Sequence, residues 1–272
     1  MKSIFTILIL INFNVAIAQW TQKNSGTTHD LYDIHFPTAD TGYAVGYYGT
    51  ILKTNDAGNT WTILNSNTFS DLYAVYFLNS NQGFVVGDSG IFTTTNGGNT
   101  WNQQVIPTSN PLRDVEFINH QIGFCVGHSG TILKTTDGGN SWVIKPNDIS
   151  QPMINFKSII FPIPDTGYIA GHSLWDFLKT TDGGETWNRI QIDTNPGNPV
   201  IFESVYFTSA HTGYIGGWYG AVLIKTLDGG NSWINKDSSG QAQIYSIYFP
   251  TSAVGYTTGW YSTVLKTSDS GS

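Results

Sequence analysis

Cysteine is almost absent from this 272-residue chain: Cys125 stands alone. One thiol excludes an intramolecular disulfide framework and a thiolate metal cluster. Arginine is nearly as scarce, with only Arg113 and Arg189. Lys and Arg number 12 against 19 Asp and Glu, a formal net charge of −7. No basic stripe is visible, which argues against a nucleic-acid partner, because phosphate neutralisation supplies most of that affinity. The six histidines show no metal-ligand spacing, so His29, His35, His120 and His211 read as surface or strand residues. No motif implies a cofactor. Sustained helical periodicity is also missing, so the mature chain is expected to be free of helices.

The first residues read as an export signal. Lys2 supplies a short positive start, Ile4 to Ile11 an apolar run, and Ala16-Ile17-Ala18 a small-x-small cleavage site. The run is broken by Asn12 and Asn14, short of the roughly 20 apolar residues a spanning helix needs. Residues 1–18 are therefore expected to be a cleaved signal peptide, with residues 19–272 forming one domain that is secreted or held at the cell surface. No later segment reads as transmembrane.

What the chain has in abundance is one eight-residue box. It reads TNDAGNTW from Thr54, TTNGGNTW from Thr94, TTDGGNSW from Thr135, TTDGGETW from Thr180 and TLDGGNSW from Thr226, with a sixth copy, TSDSGS from Thr267, broken off at Ser272. A period of 40–46 residues marks a repeat architecture. Each period adds an alternating run such as YDIHF or YAVYF, a Gly-aromatic-x-x-Gly segment such as GYAVG from Gly42, and an ILKT-like segment such as that from Ile51. Short β-branched and aromatic runs bounded by Gly, Asn, Asp and Ser are strands. Four per unit describe a propeller blade. The fold class is therefore all-β, a β-propeller of four-stranded antiparallel blades, six represented in this chain. Trp20-Thr21 repeats Trp61-Thr62 and reads as an orphan outer strand. Because the sixth box begins a hairpin that would be purposeless in a closed six-bladed ring, the domain is expected to be C-terminally truncated from seven blades. Cys125 aligns with Ala44, Val85 and Ile169 and should be a small core residue.

Together these segments resemble the photosystem II stability/assembly factor-like propellers, within the wider Asp-box (bacterial neuraminidase) repeat class found in secreted bacterial proteins. The resemblance runs from Trp20 to Ser272 and implies a seven-bladed ring. It also implies a structural role for the box: Asp56, Asn96, Asp137, Asp182, Asp228 and Asp269 accept backbone N–H bonds, while Trp61, Trp101, Trp142, Trp187 and Trp233 pack against the hairpin and the neighbouring blade. The photosystem role, as the resemblance implies it, depends on an arginine-rich surface that two arginines cannot form.

Enzyme readings meet the same shortage. Sialidases of the Asp-box class grip a carboxylate with three arginines, and Arg189 falls on an outer strand. Asp-box glycoside hydrolases need two carboxylates facing each other across a sugar. The nearest candidates, Asp88 and Asp176, fall in blades two and four. Gly87-Asp88-Ser89-Gly90 mimics a serine-protease loop but occupies a hairpin-turn position in register with Tyr47-Tyr48. The chain is thus expected to be a non-catalytic binding or assembly scaffold, with catalytic, metal and cofactor residues absent. The alternatives are a carbohydrate-active enzyme or a structural module of a larger exported protein. Paired carboxylates in the channel would favour the enzyme.

The turn after the GYAVG segment varies most between repeats. It carries Tyr47, Tyr48, Asp88, His128, His172, Trp175, Asp176, Trp218, Tyr219, Trp260 and Tyr261. Tyr and Trp combine apolar faces with a polar handle, so these turns form the expected ligand-binding face, for a protein or a glycan, at one mouth of the central channel.

Overall fold

The computed structural model describes residues 21–147, 155–171, 177–190, 192, 201–218, 222–236, 243–260 and 263–272. It is all-β apart from single 3-10 turns at Tyr47–Gly49 and His128–Gly130. Six antiparallel sheets follow one another as the blades of a propeller; five contain four strands, and the sixth contains three among the described residues. In the first blade the strands run Leu31–His35, Gly42–Gly46, Ile51–Thr54 and Thr62–Leu64, in that spatial order. The inner strands of the next five blades are Leu72–Phe77, Leu112–Phe117, Phe156–Ile163, Ile201–Phe207 and Ile244–Tyr248. Each packs on the inner strand of the blade before it.

The repeated glycines have steric causes. A Cβ on Gly83 would collide with the ring of Phe77, which lies flat on that strand, and one on Gly87 would strike the carbonyl of Asp71 where the inner strand begins. The Gly-aromatic-x-x-Gly strand therefore carries no side chain at either end, and its middle is buried, as Phe84, Val85 and Val86 show. Cys125 is buried in the same layer.

The box closes the hairpin between third and fourth strands. Thr135 Oγ1 donates to Asp137 Oδ1 at 2.8 Å and accepts from Gly139 N at 2.9 Å, while Asp137 accepts from Ser141 N and Ser141 Oγ. These bonds hold the Asp137 carboxyl down at about 2, and the same geometry does so for Asp56 and Asp228. A lysine then ties four of the boxes to the previous blade. Lys53, Lys134, Lys179 and Lys225 donate to the carbonyls of Gly97, Gly183, Gly229 and Ser270 at 2.6–2.8 Å. Trp101, Trp142 and Trp187 are buried between blades. The box thus closes its hairpin with its own side chains and buries Trp101, Trp142 and Trp187.

The two end blades differ from the rest. Val75, Val115, Ile159, Val205 and Ile247 are buried, but their counterpart Ile34 is 55% exposed. On the sixth blade Val264 and Leu265 are exposed where Ile51 and Leu52 are buried. A cavity of about 280 Å³ lies beside the sixth box, lined by Tyr214, Leu223, Phe249 and Leu265.

Candidate functional site

One exposed or half-buried position near the start of each inner strand holds Tyr32, Tyr73, Arg113, Lys157, Glu203 or Tyr245, the second residue of the strand in every blade but the fifth, where Glu203 is the third. These six side chains lie at the end of the strands where the variable turns fold back, and four turns touch them. Tyr73 Oη donates to Asp88 Oδ2 at 3.3 Å, and Arg113 Nε to His128 Nε2 at 2.8 Å. Trp218 Nε1 donates to Glu203 Oε1 at 2.6 Å, and the rings of Tyr245 and Trp260 lie 6.4 Å apart. Neighbouring blades connect as well. Tyr32 stacks on Tyr73 at 5.4 Å, the Arg113 guanidinium sits 3.6 Å above the Tyr73 ring, and Lys157 pairs with Glu203 at 3.7 Å.

Of the residues singled out in the sequence, Tyr47, Tyr48, Asp88, His128, Trp218 and Trp260 share this end of the molecule. His172, Trp175, Asp176, Tyr219 and Tyr261 lie outside the described residues, as does Trp20. Tyr47, Tyr48 and Trp260 are about half exposed. Sequence reasoning missed these inner-strand side chains, and it also missed Phe69, which is 76% exposed in the connection to the second blade. The signal was present in that an aromatic residue stands alone among Asn65, Ser66, Asn67, Thr68 and Ser70.

The aromatic edge is rigidly presented. Tyr48 N donates to Asp71 Oδ1 and Tyr47 N to the Asp30 carbonyl, both at 2.9 Å. Ser66 and Thr68 bond within the connecting loop, and Asn67 Nδ2 reaches the Trp101 carbonyl. Tyr48 has φ 55 and ψ 40, a left-handed conformation that is unfavourable for a bulky side chain. Strain kept at an exposed aromatic is a pointer to function. Tyr48→Asn, which tolerates that conformation, is expected to raise stability by about 0.5–1 kcal/mol in chemical denaturation while weakening ligand binding.

Deeper in the channel stand carboxylates. Asp33 Oδ2 accepts Val75 N and Asp114 Oδ2 accepts Ile159 N, each at 2.8 Å; their other oxygens accept Ile34 N and Val115 N. Ser204 does the same for Ile247 N at 3.2 Å. An inner strand has no sheet partner on its channel edge, and these side chains from the preceding blade satisfy N–H groups there. Desolvation pushes the Asp114 carboxyl up to about 7 and that of Glu116 to about 8. Asp33 and Asp114, the carboxylates an enzyme reading would turn to, are engaged in joining blades. Among the described residues no cluster of His, Cys, Asp and Glu could hold a metal ion, and no helix is long and apolar enough to cross a membrane.

The family model for photosynthesis system II assembly factor YCF48 matches residues 12–105 and 93–205. The chain belongs to the YCF48 family. YCF48 from Cyanidioschyzon merolae is 19% identical over 92% of this chain and 98% of that one, with a TM-score of 0.58. A structure of YCF48 bound to D1 peptide is 18% identical over 89% and 94%, with a TM-score of 0.50. The GH74 enzyme of Niastella koreensis gives a TM-score of 0.71 at 18% identity, covering 89% of this chain but 45% of that one. No curated protein matches. At these identities the likeness to solved structures concerns the propeller fold, which YCF48 and the GH74 enzymes have in common.

Proposed function

We propose that this YCF48-family chain is a non-catalytic, protein-binding assembly scaffold, exported by its N-terminal signal and acting outside the cytoplasm through the aromatic mouth of the propeller. The observation that carries the reading is the set of half-exposed aromatics on turns fixed by hydrogen bonds, which lowers the ordering cost of recognition. The relative bound to a D1 peptide supports a protein partner. The D1 protein itself is not carried over, since an arginine-rich surface cannot be built from Arg113 and Arg189.

The GH74 likeness motivates one competing reading, glycoside hydrolysis. It needs an acid and a base or nucleophile free to reach a sugar, and Asp33 and Asp114 are occupied by backbone N–H groups. The test measures retention of extracellular and surface proteins on the immobilised chain, with Trp260→Ala and Tyr48→Ala beside it and folding checked by melting. A defined protein is expected on the wild type, with each variant weakening it about tenfold or more. Release of sugar from a polysaccharide panel by the wild type, lost in Asp114→Asn, would replace the scaffold with the enzyme.

A further inference from the structure

The mouth has an internal chemical order. At its apolar end Phe69 lies against Tyr48, ring centroids 5.1 Å apart, and Tyr48 lies 6.0 Å from Tyr47. The Asp30 carbonyl that holds Tyr47 N stands two residues before Tyr32, and the aromatic surface continues from Tyr32 to Tyr73, stacked at 5.4 Å. It ends on the Arg113 guanidinium, 3.6 Å above Tyr73.

Arg113 is half-buried, and no carboxylate among the described residues forms a salt bridge with it. Its Nε is directed by His128, an uncharged acceptor when it takes that bond at Nε2. Nearby carboxylates are engaged elsewhere. Asp71 takes the Tyr48 N–H, Asp88 the Tyr73 hydroxyl, and Glu203 takes Trp218 and Lys157. A guanidinium oriented by stacking and by one hydrogen bond keeps a planar fork for two parallel bonds to a carboxylate. Phe69 supplies the opposite chemistry, a rigidly held apolar anchor in water.

We infer that the mouth takes an extended peptide segment that lays an apolar side chain on the Phe69–Tyr48 ridge and sets a carboxylate, from a chain terminus or an acidic side chain, on Arg113. This rests on the protein-binding reading above and names the chemistry of the partner segment.

The full-length protein is immobilised and offered one octapeptide library synthesised twice, with free and with amidated C-termini; retained peptides are sequenced and quantified. The wild type is expected to retain free-acid peptides, or amidated peptides bearing Asp or Glu, about tenfold over amidated peptides without acids. R113Q is expected to abolish that preference and R113K to keep part of it. F69A should weaken retention of both libraries about tenfold without changing their ratio. In parallel, displacement of a retained peptide from the wild type by N-acetyltyrosine, and not by N-acetyltyrosinamide, keeps the test independent of variant folding. Equal retention of acidic and acid-free peptides by the wild type, or an unchanged preference in R113Q, overturns the inference and leaves peptide binding standing. Retention of neither library overturns both.

Discussion

Trp187→Ala is expected to destabilise the propeller by about 3–5 kcal/mol, the range for emptying a buried tryptophan site. Trp187 is 1% exposed. Its ring meets Phe161 of its own blade edge-on at 5.7 Å and Phe124 of the preceding blade at 6.2 Å. Its loss would open the seam between two blades, and domains retain only about 5–15 kcal/mol in total. Trp61 offers an internal control. It is only half-buried and has Phe36 as its aromatic contact among the described residues, so Trp61→Ala should cost about 1–2 kcal/mol. Phenylalanine replacements separate packing from hydrogen bonding. Trp187 Nε1 is buried without a partner, so Trp187→Phe loses volume but also removes an unsatisfied donor. Trp142 Nε1 donates to Gln104 Oε1 at 3.1 Å, so Trp142→Phe should cost more. Denaturant unfolding of the four variants measures the order. Equal losses at Trp61 and Trp187 would mean that the seams are not where stability resides.

The same seams explain how much could be read from the chain alone. The box is local chemistry: Thr135, Asp137 and Ser141 bond to one another within seven residues, so spacing alone revealed the hairpin and its tryptophan. The Gly-aromatic-x-x-Gly strand was legible for a similar reason, since its glycines answer to Phe77 and Asp71 of the same blade. The channel clasps were not legible. Asp33 reaches Val75, and Asp114 reaches Ile159, across a blade boundary of more than forty residues. The trace they left was a small or polar residue, Asp, Ser or Ala, near the start of each inner strand. The aromatic mouth was half legible. Tyr47 and Tyr48 stood out against the repeat, whereas Phe69 lies in a connection with no repeated counterpart. Arg113 takes its place through the Tyr73 ring of the preceding blade as well as through His128 of its own.

Those clasps lead to an expected pH dependence. Asp114 and Glu116 bind their protons more tightly in the folded protein than in the unfolded chain, their carboxyls being raised to about 7 and about 8 by desolvation. The unfolded chain then releases protons first, so stability falls as pH rises through the folded values. His35 opposes them at lower pH. Desolvation lowers its imidazole to about 4, so the stability linked to its neutral form disappears as pH falls from about 6.5. The box aspartates Asp56, Asp137 and Asp228, lowered to about 2 by their hydroxyl and N–H donors, lose their contribution only below the ordinary carboxylate range. Between pH 6.5 and 8.5, therefore, the channel carboxylates act without opposition from His35 or the box. A loss on the order of 2 kcal/mol is expected there, read as a falling melting temperature. Glu116→Gln should remove most of the slope, because Glu116 holds its proton furthest into that window. Asp114→Asn should remove less of it, and at pH 8.5 it exchanges a buried charge for an amide that can accept only one of the two N–H bonds. A flat profile in the wild type, or an unchanged slope in Glu116→Gln, would mean that channel water solvates these carboxylates well enough for them to ionise normally. The clasps between blades would then cost the fold nothing at neutral pH.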